Sequence, residues 1–318
     1  MKLATLCLTS CSGCHINLLD LHEKLLDLLI ANELVYSPLL ADMKEPEECD
    51  LALVEGSIRN REDVKRIKAL RAKAKILVSI GSCAVFGGVA GLGNAHAPAE
   101  LIEEAYPATQ NQEHGPRLLP RVFPIDSLVT IDYYLPGCPP PIEVVSDFLD
   151  ALVSGKTPQA NDLPVCAECG RQVTTEIPKE IRRTYEHEVH PTECLLQQGF
   201  ICLGSVTRAG CDAPCTKAGV PCMGCRGPSQ RLMAEASHGI YEDLVKRRCH
   251  YTQLPIKEVE RQLEPFRHSL YTYTLAAPFM RTKKSEQVAD WIYRVNWDAE
   301  RPDEAFSSAG SPTEGSTK

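Results

Sequence analysis

The sequence predicts a doubly wound, parallel α/β sheet followed by a small cysteine-rich region with little regular structure. Three observations predict it. Short apolar runs alternate with amphipathic stretches over residues 1–155, which is how strand–helix–strand units read. Near Lys156 that periodicity falls away while Cys, Pro and Gly become dense. Twelve of the fifteen cysteines fall into three groups of four, so ligands can organise a region that lacks a large core of its own.

The elements follow in order. Residues 3–8 form a short apolar run, a first strand. Residues 16–32 carry leucines at 18, 21, 25 and 28 and predict one helix. Residues 51–54 are the second strand, and 61–74 a helix with Val64, Ile67 and Leu70 on one face. Residues 75–80 are a third strand, stopped by Gly81. Residues 87–120, rich in Gly, Pro, Asn and Gln, predict a long excursion with at most a short helix near 101–105. An apolar run at 128–135 precedes a helix over 141–154, opened by Pro141 and closed near Gly155. The alternation is of the flavodoxin-like kind. The expected domains are 1–155, 156–230, a helical extension over 231–306, patterned for example at 231–247, and a disordered tail at 307–318.

The bulk properties exclude some functions. A formal net charge of −8 argues against a nucleic-acid partner, because phosphate binding needs a basic face. The most apolar stretch, residues 25–35, carries Asp27 and Glu33, so no membrane span is expected. No export or anchor pattern opens the sequence, and a cytoplasmic location is expected. In a reducing compartment many cysteines mean metal or redox chemistry rather than disulfides. The glycines of residues 88–93 do not have the spacing of either common phosphate loop.

The first cysteine group is Cys11, Cys14, Cys83 and Cys138. Each lies in a strand-to-helix loop with Gly or Pro beside it, at the carboxyl end of a predicted parallel strand. Those ends share one sheet edge, where open α/β folds bind ligands. The second group is Cys166, Cys169, Cys194 and Cys202, and the third is Cys211, Cys215, Cys222 and Cys225. Four thiolates are the ligand set of a [4Fe-4S] cluster. The C-x2-C pairs 166/169 and 222/225 suit structural zinc equally well, and taken alone the second region leaves both open. Cys7, Cys49 and Cys249 belong to no group; Cys7, in an apolar strand, reads as a buried small hydrophobe. His187, His190 and the run 281–284 read as solvated surface.

Residues 11–15 (CSGCH), 54–57 (VEGS), 81–84 (GSCA) and 136–140 (PGCPP) resemble the small subunit of nickel–iron hydrogenases. The resemblance covers roughly residues 1–230. It implies three [4Fe-4S] clusters: proximal on Cys11, Cys14, Cys83 and Cys138, medial on Cys211, Cys215, Cys222 and Cys225, distal on Cys166, Cys169, Cys194 and Cys202. The split of Cys202 and Cys211 between the last two stays open. Many relatives have histidine where this chain has Cys166, and three medial cysteines where Cys215 supplies a fourth. The resemblance further implies a nickel–iron centre on a large-subunit partner, no catalytic residue on this chain, and electron transfer as its task. Glu55 matches a family glutamate, for which a proton role and a role accepting backbone N–H bonds both remain open. The pattern is most similar to methyl-viologen-reducing hydrogenases, which pass electrons through a small iron–sulfur adaptor to a heterodisulfide reductase. Two other readings stand beside it: a complex-I-like subunit of an ion-pumping oxidoreductase, and a zinc-stabilised interaction module.

Overall fold

The computed structural model describes residues 1–106, 116–159, 161, 163–173, 178–234 and 239–277. The run 281–284, the predicted tail and the latter part of the predicted C-terminal extension lie outside them.

The first half is the expected parallel sheet. Strands β1 (Lys2–Cys7), β2 (Glu33–Tyr36), β3 (Cys49–Glu55), β5 (Ala74–Ile80) and β7 (Tyr133–Leu135) pair in the order β2-β1-β3-β5-β7, all parallel. Two short strands lie outside it: β4 (Ile58–Asn60) and β6 (Leu118–Phe123) form a separate antiparallel ribbon. The central strands are buried on both faces, which is why they read as continuous apolar runs. One face packs Ala52, Val54 and Leu77 against Val64, Ile67 and Leu70 of α3 (Arg61–Lys73). The other packs Leu51, Leu53, Val78 and Ile80 against Leu18, Leu21, Val145, Phe148 and Leu149. These come from α1 (Gly13–Leu19), the turn after it and α6 (Ile142–Val153).

α3 begins where expected because Asn60 caps it. Asn60 Oδ1 accepts the Asp63 N–H at 2.9 Å, and Asp63 Oδ2 accepts the Asn60 N–H at 3.1 Å. The same carboxylate accepts the Thr9 hydroxyl at 2.7 Å, tying the loop after β1 to this helix.

Three expectations need correction. Residues 16–32 are two helices, α1 and α2 (Glu23–Ala31), because His22 adopts φ 49° and ends the first run of helical hydrogen bonds. Residues 128–135 are mostly irregular, and only Tyr133–Leu135 joins the sheet. The excursion over 87–120 contains the expected short helix, longer at α5 (Pro98–Ala105), and ends in the unexpected strand β6.

Register decides where the loops emerge. Cys7 pairs with Glu55, Glu55 with Ile80, and Ile80 with Leu135, so four parallel strands end in one row. Strand order reverses between β1 and β3, the position at which open α/β sheets form a crevice. The short helix α4 (Gly81–Phe86) starts at the same edge.

After Lys156 regular structure is sparse. The helical segments are α7 (Cys166–Cys169), α8 (Pro214–Lys217), α9 (Gln230–Ala234), α10 (Ile240–Thr252), α11 (Ile256–Leu263) and α12 (Arg267–Leu270). The region is nonetheless not short of core. Val165, Leu195, Phe200, Leu203 and Val206 share one apolar cluster with Leu244, Val245, Val259 and Leu263, and with Val85 and Phe86 of α4. The cysteine loops are therefore clamped between the sheet domain and the C-terminal helices. No described helix is long and apolar enough to cross a membrane.

Candidate metal centres

The row of strand ends brings the first cysteine group together. Cys11 lies in the loop after β1 and Cys14 in the first turn of α1, Cys83 lies in α4 after β5, and Cys138 follows β7. Burial pushes the Cys14 thiol far above its ordinary pKa, and Glu55, Cys83 and Cys138 add to the rise. Burial likewise raises Cys83 to about 11, with Cys138, Cys11 and Glu55 contributing. Cys138 is raised by burial and by Cys11. Each of the four sulfurs thus lies within electrostatic reach of at least two of the others.

The second group converges too. Cys166 is raised to about 11 by burial and by Cys194, Cys169 and Cys222. Cys202 is raised to about 11 by burial, against backbone N–H groups of Gly204 and Cys222, with Cys166 and Cys194 adding. A Cβ placed on Gly204 would lie 3.5 Å from Cys166 Sγ and 3.6 Å from Cys202 Sγ, so these sulfurs flank one point. In the third group, burial raises Cys225, partly offset by the Cys138 backbone N–H, and Cys211, Cys138 and Cys215 raise it further. Burial raises Cys222 to about 12, with Cys202 and Cys225 among its neighbours.

The loop Cys222–Cys225 is a bridge between the other groups. The Cys222 N–H donates to Cys202 Sγ at 3.4 Å. At its other end, the Cys138 backbone N–H lies close enough to Cys225 to lower its thiol pKa, and the Ser82 hydroxyl donates to the Cys225 carbonyl. In space the third group therefore stands between the first and second.

These donors fit iron–sulfur clusters. All fifteen cysteines are free thiols; of the twelve in the three groups, Cys11, Cys138, Cys166 and Cys215 are exposed and the rest buried or half-buried. Burying like-charged thiolates together is costly unless a cationic metal neutralises them. Gly81 shows how closely the first group is drawn: at φ 85°, a Cβ there would lie 2.3 Å from Cys14 Sγ.

Behind Cys14 lies a group that spacing along the sequence did not assemble. Glu55, 1% exposed, accepts the Cys14 N–H at 2.9 Å and the His15 N–H at 3.2 Å through Oε2. Its Oε1 lies 2.8 Å from His15 Nδ1. Burial pushes the Glu55 carboxyl up, but His15 and Cys7 outweigh it and hold the group below its ordinary pKa. Cys7 is half-buried and polar in its contacts, with Sγ 3.2 Å from Ser10 Oγ and 3.4 Å from Ser12 Oγ, rather than a plain apolar filler. The thiol, imidazole and carboxylate lie within 4.8 Å of one another. The signal for this cluster is the one-row register of Cys7 and Glu55, and it needs the strand pairing to be seen. Of the remaining singled-out residues, Cys49 is buried, Cys249 half-buried, and His187 and His190 exposed.

Glu55→Ala removes the acceptor of two N–H groups and the partner of a buried histidine. It is expected to cost about 3–5 kcal/mol, read as a lower Tm of the purified complex and, if the first group holds a cluster, as lost iron. An unchanged Tm with full iron would contradict this role.

The family model of the NADH ubiquinone oxidoreductase 20 Kd subunit matches residues 11–152. The vhu G chain of the F420-non-reducing hydrogenase of Methanococcus voltae is 42% identical over 245 residues, covering 74% of this chain and 85% of that protein. This chain belongs to the family of F420-non-reducing hydrogenase G chains. It is thus a hydrogenase subunit, a component of an oxidoreductase. The family member from Archaeoglobus profundus, named as an iron-sulfur subunit of an F420-non-reducing hydrogenase, is 37% identical over 72% of this chain and 82% of its own length. Among solved structures, a chain of an NAD+-reducing [NiFe]-hydrogenase in the H2-reduced state is 39% identical with a TM-score of 0.48, covering 50% of this chain and 94% of that one.

Proposed function

We propose that this chain is the electron-relay subunit of a nickel–iron hydrogenase, with the nickel–iron centre on a large-subunit partner. Cys11, Cys14, Cys83 and Cys138 would hold a proximal [4Fe-4S] cluster, Cys211, Cys215, Cys222 and Cys225 a medial one, and Cys166, Cys169, Cys194 and Cys202 a distal one. When bound, such clusters supply one-electron redox chemistry. The chain's own residues fix where they sit and what surrounds them. The Cys222 N–H donates to Cys202 Sγ, and the backbone N–H groups of Cys138, Gly204 and Gly224 lower the pKa of Cys225, Cys202 and Cys222, so all four favour negative charge on these sulfurs. The carrying observation is the Cys222–Cys225 loop, one end against Cys202 and the other against Cys138. It supports a linear order in which electrons from dihydrogen oxidation pass proximal, medial, distal and then to an external acceptor.

On this reading residues 1–155 form the proximal-cluster domain, 156–230 the domain of the other two, and 231–306 an extension whose described helices pack on it. A small iron–sulfur adaptor and a heterodisulfide reductase are the acceptors proposed. The cytoplasm is the location proposed, since a dozen unpaired thiols require a reducing compartment.

The test is metal analysis of the complex purified without oxygen. About twelve irons with matching acid-labile sulfide are expected for three four-iron clusters, together with dihydrogen-dependent dye reduction. A colourless, zinc-containing protein would overturn the reading. The match of residues 11–152 to an NADH ubiquinone oxidoreductase subunit favours a second reading, a complex-I-like subunit of an ion pump. That reading requires membrane-bound neighbours to copurify and no dihydrogen-dependent dye reduction.

A further inference from the structure

Arg226 follows Cys225 directly and is only 4% exposed. Its Nε–H donates to the Ala209 carbonyl at 3.1 Å, two residues before Cys211. A Cβ on Gly210 would lie 3.2 Å from Nη2, so the guanidinium lies against the backbone that leads into Cys211. Nη1 is buried with no hydrogen-bond partner among the described residues. One side chain thereby spans the two loops that carry Cys211 and Cys225. Both thiols act on it electrostatically, as does Glu168.

Glu168 is the acid in this neighbourhood. It sits between Cys166 and Cys169 in α7, and its Oε1 accepts the Gly210 N–H at 2.6 Å. Its Oε2 is buried without a partner among the described residues. An arginine kept charged here is costly, and packing alone would be served by an uncharged chain. A fixed cation beside a redox group has a definite effect. Reduction adds one negative charge, and a buried positive charge lowers the free energy of that state.

We propose that Arg226 is a positioning residue for electron transfer, a buried cation that raises the reduction potential of the cluster held by Cys211, Cys215, Cys222 and Cys225. The proposal rests on the cluster assignment above. Arg226 acts by favouring the electron on the middle site, and Glu168, at the α7 site, moderates that bias.

The test is a redox titration of the intact hydrogenase complex, followed by electron paramagnetic resonance, with iron and sulfide measured on every sample. Arg226→Gln keeps a donor for Ala209 and removes the charge. Its middle cluster is expected to be reduced at least tenfold less at a fixed potential, a fall of about 59 mV for a one-electron couple. Arg226→Lys retains the charge and is expected to restore most of the shift. A merely structural arginine would lower Tm in Arg226→Gln and move no midpoint; a sample with full iron and unmoved midpoints overturns the proposal. Should Arg226→Gln lose iron, Glu168→Gln is compared with the double variant Glu168→Gln/Arg226→Gln, which removes both buried charges together. A lower midpoint in the double variant is expected, and equal midpoints overturn the proposal. The underlying assignment fails separately: if Cys215→Ser in an otherwise unaltered complex leaves every cluster signal intact, the third group holds no four-cysteine cluster.

Discussion

The Cys14→Ser complex is expected to be purified with about eight irons in place of about twelve, and to lose dihydrogen-driven dye reduction to background. Cys14 is the most constrained thiol of the first group. Its backbone N–H is held by Glu55, its sulfur fills the space beside Gly81, and its thiol is strongly disfavoured as a free thiolate by burial and by three acidic neighbours. Serine keeps the shape but supplies a hydroxyl, a much harder acid to ionise in that setting. On the proposed assignment the other two groups draw no ligand from this loop, which meets the third group at the Ser82–Cys225 contact. Partial, not total, loss of iron is therefore the informative result. Twelve irons with undiminished activity would remove Cys14 from the ligand set. Loss of all iron would show that the groups do not assemble independently.

Gly227→Ala is expected to separate the cysteine-rich region from the sheet domain. Gly227 adopts φ 68°, where an alanine costs about 1–2 kcal/mol. The added methyl would lie 2.1 Å from Phe86 Cε2 and 2.4 Å from Cζ, and overpacking of that kind costs about 1–3 kcal/mol more. Phe86 is 2% exposed and ends the helix that carries Cys83, so its ring has nowhere to move without shifting α4. The Ser82 hydroxyl bond to Cys225 lies in the same contact. The expected readout is a lower Tm together with slowed dye reduction at unchanged iron content. A double variant, Gly227→Ala with Phe86→Ala, clears the collision and should recover part of the slowed transfer. An unchanged Tm and rate in Gly227→Ala would show that this contact is dispensable.

Much of this architecture was legible in the residues, for identifiable reasons. Strands β1, β3 and β5 are buried on both faces, so their apolar runs stand out, and α3 advertises itself through its Asn60 cap and its stripe of Val64, Ile67 and Leu70. Strand β2 was hidden because it is a four-residue edge strand that follows a leucine-rich helix with a single residue between them. The break at His22 was hidden because Leu18, Leu21, Leu25 and Leu28 keep a helical rhythm across it. Strand β6 carries Pro120, which argues against a strand until its partner β4 is known to pair at one edge only. The twelve cysteines could be grouped by spacing, yet the buried charges between them could not. Glu55, His15 and Arg226 meet their partners only through register and tertiary packing.

The order of the groups along the chain is not their order in space. The last pair of cysteines among the three groups, 222 and 225, touches both earlier groups. On the proposed assignment, a truncated version ending near residue 210 would not be a shorter conductor with its terminal contact trimmed off. It would lose the span in the middle, and with it the C-terminal helices that the second group packs against.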